Sequence, residues 1–325
     1  MPGVTVYLPS LTLSAELSLA DRHREFPLLA WCLGGAQRTA HQGPLESMLA
    51  QQCGAGADFS LAHATARHDL GERGAAADLL RSDPVHLHAD PNKVLVYGPL
   101  HLDLTTDEAD SLLAGVNREF PELAMQRGVE ITRWYVRRPA EVLGRAPSVQ
   151  WLHGRSLTPF MPVAAEQRAW RCWLNDLQMV LHAHPTNTAR MARGVLPVNG
   201  VWWFGAAEST QATRPRPVQM VGNDALLAGL SDARDAVWSA TAAPAAALAT
   251  GRDVVLVAGS AFGAAVAGNL ISLEALEMDW LPVLVRALRR RQITGLAFMT
   301  GSHRGTLSWW QSLRRWTSPQ AFRVE

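Results

Sequence analysis

Three short apolar runs set the strongest limit on what this chain can fold into: "GVTVYL" near the start, "DVVLVAG" from Asp253 and "GLAFMTG" from Gly295. The first and last read as strands, and "DVVLVAG" has the unbroken apolar character of a strand buried on both faces. Between the strands lie stretches with helical periodicity. "EFPLLAWCLGG" and "PLESMLAQQCG" each close on glycine, as helix C-termini do. Strands alternating with helices predict an α/β protein around a largely parallel sheet.

The middle of the chain has its own signals. "SDPVHLHADPNKVLVYG" predicts two extended segments joined by an Asp-Pro-Asn turn. Thr105 and Glu108 have capping-box spacing, and Leu112, Leu113, Val116 and Phe120 form the apolar face of the helix that follows. "GVEITRWYVRRP" predicts a strand and residues 140–165 an irregular connection. "AEQRAWRCWLNDLQMVLHAHP" predicts an amphipathic helix. Further on, "ATAAPAAALATG" reads as a closely packed helix or a linker, and "SLEALEMDWLPVLVRALRRRQ" as one long helix with cations in its last turn. The basic "RALRRRQ" itself reads as a solvated helix end. In "LSWWQSLRRW" the spacing of Leu307, Trp310 and Leu313 favours a docked C-terminal helix over an aromatic-basic surface for nucleic acid.

Composition narrows the function classes. A formal net charge of +1 over 325 residues gives no global reason to expect nucleic acid or an anionic membrane as partner. Cys32, Cys53 and Cys172 are odd in number, widely spaced and outside any C-x-x-C pattern, which suits a reduced, cytoplasmic compartment. The N-terminal stretch has no basic region ahead of an apolar one, so no secretory signal is read there. "VVLVAGSAFGAAVAGNLISL" is better explained by a strand, a turn and small-residue packing than by a membrane span. The expectation is a soluble cytoplasmic protein with no cofactor.

Two segments carry candidate chemistry. In "PVHLHAD", His86, His88 and Asp90 alternate, so on a strand they share one face, where two imidazoles and a carboxylate suit a metal such as Mn or Zn. The competing reading is a solvent-facing sheet edge beside a turn. The second segment, "LHAHPTNTARMARGVLPVNGVWWFGAAE", crowds His184, Asn187, Arg190, Arg193 and Asn199 against an aromatic strand. His182 and His184 are two apart at the end of a helix, which does not place them on one helical face for a metal. A histidine and Asn187 suit capping of the helix end, and a guanidinium suits an anion. G-x-S-x-G, G-x-G-x-x-G and Walker A patterns are missing.

That second segment resembles the H-P-x-N…R…G…P-x-N-x-x-W-x-W-G stretch of cofactor-independent phosphoglycerate mutases of the archaeal type, in the alkaline phosphatase superfamily. The matching positions are His184, Pro185, Asn187, Arg190, Gly194, Pro197, Asn199, Trp202 and Gly205, with Phe204 where the family has Trp or another aromatic. Over most of its length the chain is similar to a bacterial group of uncharacterised proteins related to those mutases, which includes a regulator of pathogenicity. The resemblance implies an alkaline-phosphatase-like core from residues 1–79 and 211–325, with an inserted substrate-type domain at 80–210. It also implies a dimetal centre on carboxylates and imidazoles that follow the first strand, the strand after the insert and a late strand. Here those places read "YLPSL", "LVAGSAFGAAVAGN" and "FMTGSHRGT", and His303 alone survives.

The expectation is therefore a catalytically degenerate relative without metal or cofactor. It would bind a phosphorylated small molecule or a protein partner through His184, Asn187, Arg190 and Asn199, in a regulatory role. The alternative is an active mutase or phosphatase with Mn or Zn on His86, His88 and Asp90.

Overall fold

The N-terminal apolar run forms β1 (Val4–Leu8), and in the computed structural model all five of its residues are buried. The structure describes residues 1–9, 26–41, 44–55, 59–75, 78–98, 101–144, 146–162, 164, 167–207, 217–222, 224–231, 236–258, 271–301 and 303–313. The expectations placed on "YLPSL" beyond Pro9, on "GSAFGAAVAGN", on Glu208 and on the chain after Leu313 lie outside the described residues.

After β1 come α1 (Pro27–Gly35), β2 (Gln37–Ala40) and α2 (Leu45–Gln52). The chain then builds α3 (Leu61–Ala75), β3 (Leu79–Asp90), β4 (Lys93–Tyr97), α4 (Thr106–Glu119), β5 (Gln126–Arg127) and β6 (Trp134–Arg137). There follow α5 (Val149–Leu152), α6 (Arg168–His182), α7 (Pro185–Ala192) and β7 (Gly200–Phe204). The last part holds β8 (Val218–Val221), α8 (Ala225–Leu230), β9 (Ala236–Ser239), α9 (Pro244–Ala249), β10 (Asp253–Val257) and α10 (Leu273–Ala275). It ends with α11 (Leu281–Arg289), β11 (Leu296–Thr300), β12 (His303–Leu307) and α12 (Trp309–Ser312). The contacts divide the chain into two compact units, Met1–Ala55 with Ala212–Glu325, and Gly56–Gln211.

The first unit is built on a seven-stranded sheet in the order β2-β12-β11-β1-β10-β8-β9. β11, β1, β10, β8 and β9 run parallel, while β12 and β2 run antiparallel at one edge. The α/β expectation is met, with a mixed sheet that is mainly parallel. Val4, Val6 and Leu8 of β1 share one hydrophobic core with Leu29 and Leu33 of α1 and with Leu284 and Leu288 of α11.

Two features of this unit differ from the sequence reading. Leu307 ends β12 and is no part of a C-terminal helix; "HRGTL" pairs with β11, so α12 starts only after Ser308. The long helix expected before Gln292 contains one wider π-helical turn, Leu276–Trp280. That turn carries Glu277, whose carboxylate accepts from Leu28 N at 2.6 Å and Leu29 N at 2.8 Å. Phe26 provides no side-chain cap to α1, so this distant carboxylate satisfies two of its free N–H groups.

The second unit holds an antiparallel sheet pivoting on the twelve-residue β3, which pairs with β4, β6 and β7 at different points along its length. β5 pairs with β6. The insert's sheet is thus antiparallel. The Asp-Pro-Asn turn and the Thr105–Glu108 capping box both form as the sequence indicates. "GVEITRWYVRRP" contributes strand only at Trp134–Arg137. Trp134, Trp170 and Trp203 are buried with Leu112, Val116 and Leu177 in the unit's main core. Among the described residues no helix is long and apolar enough to cross a membrane.

Candidate functional site

The segment that carries the resemblance is built on α7. Pro185 takes the first helical position, where a missing N–H costs nothing. His184 precedes it as N-cap, with Nδ1 accepting from Thr186 N at 3.2 Å. The ring is therefore a capping acceptor, and only 9% of the residue is exposed. Burial, and then the charge of Arg118, hold its pKa below the ordinary histidine value, against a backbone hydrogen bond with Ser111 that works the other way.

Asn187 is buried and ties the loop across its width. Its Nδ2 donates to Leu181 O at 2.6 Å and Val198 O at 2.8 Å, and its Oδ1 accepts from Val198 N at 2.8 Å. Asn199 does the same one step further along. Oδ1 accepts from Leu87 N at 2.7 Å and Nδ2 donates to Leu87 O at 3.0 Å, so a side-chain amide continues the β3–β7 ladder past its last backbone pair.

Arg190 is fully buried. Its Nε donates to Leu196 O at 3.0 Å. One terminal nitrogen, Nη1, donates to Asp103 O at 3.3 Å and to Glu108 Oε2; the other, Nη2, donates to Leu102 O and to Leu196 O at 2.9 Å. A guanidinium has five N–H groups, and all of them have protein acceptors here. Glu108 also receives Arg193 and closes the α4 capping box with Thr105 N. Partial burial pushes the Glu108 carboxyl up. The Thr105 N–H and the guanidinium groups of Arg193 and Arg190 outweigh that, leaving it below the usual carboxylate range. The Arg193 side chain is 56% exposed and donates to Glu108.

The four expected ligand contacts, His184, Asn187, Arg190 and Asn199, thus lie on one stretch of chain, and their polar atoms are directed at protein groups, some within that stretch and others at Leu87, Leu102, Asp103 and Glu108. The sequence shows the residue types but not the acceptors. Leu102 and Asp103 come from a distant turn, and Glu108 reads in sequence only as a capping residue.

The second candidate lies on β3. His86 and His88 are neighbours on one face, with ring centroids 6.4 Å apart. His86 Nδ1 meets Pro197 O at 2.9 Å, which makes Nδ1 the protonated nitrogen of the neutral ring. Asp90 turns instead to Lys93 at 3.7 Å across the hairpin. Two histidines that sequence reasoning missed extend the row. Tyr97 lies 6.1 Å from each of the first two rings, and beyond it His101 and His153 stack at 4.4 Å. His153 Nδ1 accepts from Gly98 N at 3.1 Å. Burial, and then the neighbouring His88 and His101 respectively, hold His86 and His153 below the ordinary histidine pKa, although the Pro197 bond works against this at His86. Among the described residues no group of three or more His, Cys, Asp or Glu is placed to hold a metal ion.

The third place is the carboxyl end of the parallel sheet, where α/β proteins bind their ligands. β1 lies between β10 and β11, with Tyr7 opposite Val257 and Leu8 opposite Thr300. The ends of the three strands that the implied metal ligands would follow are therefore side by side. Leu8, Val257 and Ala258 are buried and apolar. Thr300 Oγ1 spends itself on the turn, accepting from His303 N and donating to His303 O, both at 3.1 Å. Carboxylates and imidazoles are what a dimetal centre needs, and the described residues at these ends do not fit one.

No protein-family model matches the chain, and no curated protein matches it. Among solved structures it is similar to the cofactor-independent phosphoglycerate mutase from Thermoplasma acidophilum DSM 1728, at 13% identity over 94% of this chain and 89% of that one, with a TM-score of 0.35. It is also similar to the PH0037 protein from Pyrococcus horikoshii, at 12% identity over 94% and 87% of the two chains, with a TM-score of 0.41. At these scores neither likeness transfers an activity or a residue role.

Proposed function

We propose that this chain is a catalytically degenerate, phosphoglycerate-mutase-like protein that acts by binding, its ligand being a phosphorylated small molecule or a protein partner. The observation that carries this reading is that three strands end side by side in Leu8, Val257, Ala258 and Thr300, while the sequence that follows them, "PSL", "GSAFGAAVAGN" and "GSHRGT", holds no carboxylate and the single imidazole of His303. The loop of His184, Asn187, Arg190 and Asn199 supports it from another side. Its polar groups are spent on holding the backbone, so it is a framework beside a ligand and not a set of reacting groups. A phosphate arriving there would be met by Arg193, which still has N–H groups facing solvent.

The test is to assay interconversion of 3- and 2-phosphoglycerate, and phosphate-ester hydrolysis, with added Mn or Zn, alongside metal analysis of the purified protein. The expected result is no turnover above buffer and no stoichiometric metal. Turnover abolished by a chelator would overturn the reading in favour of an active enzyme with ligands elsewhere, His86 and His88 first among them. Calorimetry with 3-phosphoglycerate then separates the two ligand classes. Heat lost on Arg193→Ala supports the small-molecule arm, and absence of heat with the wild type overturns it.

A further inference from the structure

The C-terminal end of α11 carries Arg286 and Arg289, with Arg290 and Arg291 directly after it, and all four are exposed. Among the described residues none of them has a carboxylate within ion-pair distance. A helix dipole favours cations at this end, but its pull fades within the last turn and does not call for four. Two of the four are held in position. The Arg289 guanidinium lies 5.7 Å from the Trp31 ring centroid, and its Nε donates to Ser312 O at 2.9 Å. Arg291 lies 3.8 Å over the Trp309 ring, and Trp309 Nε1 donates to Arg289 O at 3.3 Å.

Beside them opens a groove of about 420 Å³, lined by Leu28, Pro282, Val285, Arg286, Arg289 and Arg290. Its aliphatic lining comes from α1 and α11, and its cations come from α11 and the residue after it. Arg289 carries the same surface onto α12, where Trp310 is 72% exposed and Leu313 52%. The groove thus runs into an exposed aromatic and aliphatic shelf, and the arginines between the two face no carboxylate partner among the described residues.

We propose that this groove and α12 dock an acidic peptide segment of a protein partner. An apolar side chain enters against Leu28 and Val285, the carboxylates meet Arg286 and Arg290, and Trp310 covers the far end. Charge complementarity requires an anionic occupant, and the aliphatic lining requires that it also bring an apolar group. Exposed Trp and Arg are the residue types that dominate protein–protein contacts. A single-stranded nucleic acid would need open ring faces for its bases; here Arg291 already covers Trp309, and the groove offers aliphatic side chains. The site lies within one unit of the chain. It draws on the non-catalytic reading only for the role of its partner, so an active enzyme that still captured the peptide would defeat that reading and leave this one standing.

The experiment uses the full chain and a fluorescein-labelled synthetic peptide of Asp and Glu residues bearing two leucines, read by polarisation. The same peptide with serines for the leucines, an oligothymidylate and vesicles of anionic phospholipid serve as competitors. The leucine peptide is expected to bind, and the competitors to displace it only weakly. The Arg286→Glu, Arg290→Glu double variant should bind at least about tenfold more weakly, with an unchanged melting temperature because both side chains are exposed and unpaired. Trp310→Ser should weaken binding as well. Equal binding of the serine peptide would overturn the apolar anchor. Tighter binding of the oligothymidylate or the vesicles would overturn the peptide. Full binding by the charge-reversed variant would overturn the site.

Discussion

Arg190 shows how little a residue's type says about its task. From sequence it is the natural anion contact of a polar loop, and in the fold its guanidinium is consumed by Leu102, Asp103, Glu108 and Leu196. Lysine keeps the charge but has three donors and no planar fork. Arg190→Lys is therefore expected to leave buried carbonyls unsatisfied and to cost about 3 kcal/mol, the scale of breaking a buried charged network. Urea unfolding of the two proteins measures it; equal midpoints would show that the fork is dispensable. His184 gives a second prediction at the same scale. In the unfolded chain its imidazole takes a proton near the ordinary value of 6.5, whereas in the fold it does so only at lower pH. Acid therefore favours the unfolded chain, and the stability from this group is present at neutral pH and lost as pH falls through that value. His86 and His153 are shifted the same way and add to the slope. His184→Asn keeps a capping acceptor without the titration. Melting temperatures at about pH 7.5 and about pH 5.5 should fall less between the two for the variant than for the wild type. Parallel losses would remove His184 from the account.

At the scale of elements, local chemistry was legible and distant pairing was not. The capping box of α4, the glycine-terminated helices and the β3–β4 hairpin follow from residues within a few positions of one another. Nothing near "HRGTL" announces a strand, because its glycine and polar residues have no apolar alternation; it is held there by β11 and β2. The wide turn before α11 is equally silent, since its partner is the N-terminus of α1 about 250 residues away in sequence, with separations of 249 and 248. The row of His86, His88, Tyr97, His101 and His153 depends on the same long-range pairing, and only its first two members have a sequence signal. One contact between elements gives a test. A Cβ on Gly115 of α4 would lie 2.6 Å from His184 Cδ2 and Nε2. Alanine improves helix propensity by about 1 kcal/mol, but the His184 ring is fixed by Thr186 N and has little freedom to retreat. Overpacking of this kind costs about 1–3 kcal/mol. Gly115→Ala is expected to lower the melting temperature, and a rise would mean that the ring moves aside freely.

For the whole molecule, the α/β class was readable because buried strands leave unbroken apolar runs. The antiparallel pairing of β3 with β6 and β7 was not, because β3 mixes Arg81, Asp83 and Pro84 with its apolar residues. Those polar groups are accounted for within the same unit. Arg81 Nε pairs with Asp83 Oδ1 at 3.0 Å, Trp134 N donates to the same oxygen at 3.3 Å, and the guanidinium lies 5.3 Å from the Phe204 ring centroid. Arg133 and Tyr135 reach Asp69 on α3, at 2.5 Å and 2.6 Å. The hydrophobic clusters divide in the same way. The core around β1 draws on residues before Ala55 and after Ala212, and the cores around β3 draw only on residues between them. A unit with its own core and its own satisfied charges meets the physical requirements of a domain. A chain of residues 56–211 alone is therefore expected to unfold cooperatively and to keep the near-ultraviolet signal of its buried Trp134, Trp170, Trp202 and Trp203. Arg133→Leu in that fragment should destabilise it by about 3 kcal/mol, because the buried Asp69 carboxylate would lose its guanidinium partner. A fragment with no cooperative transition would mean that the second unit draws its stability from the rest of the chain.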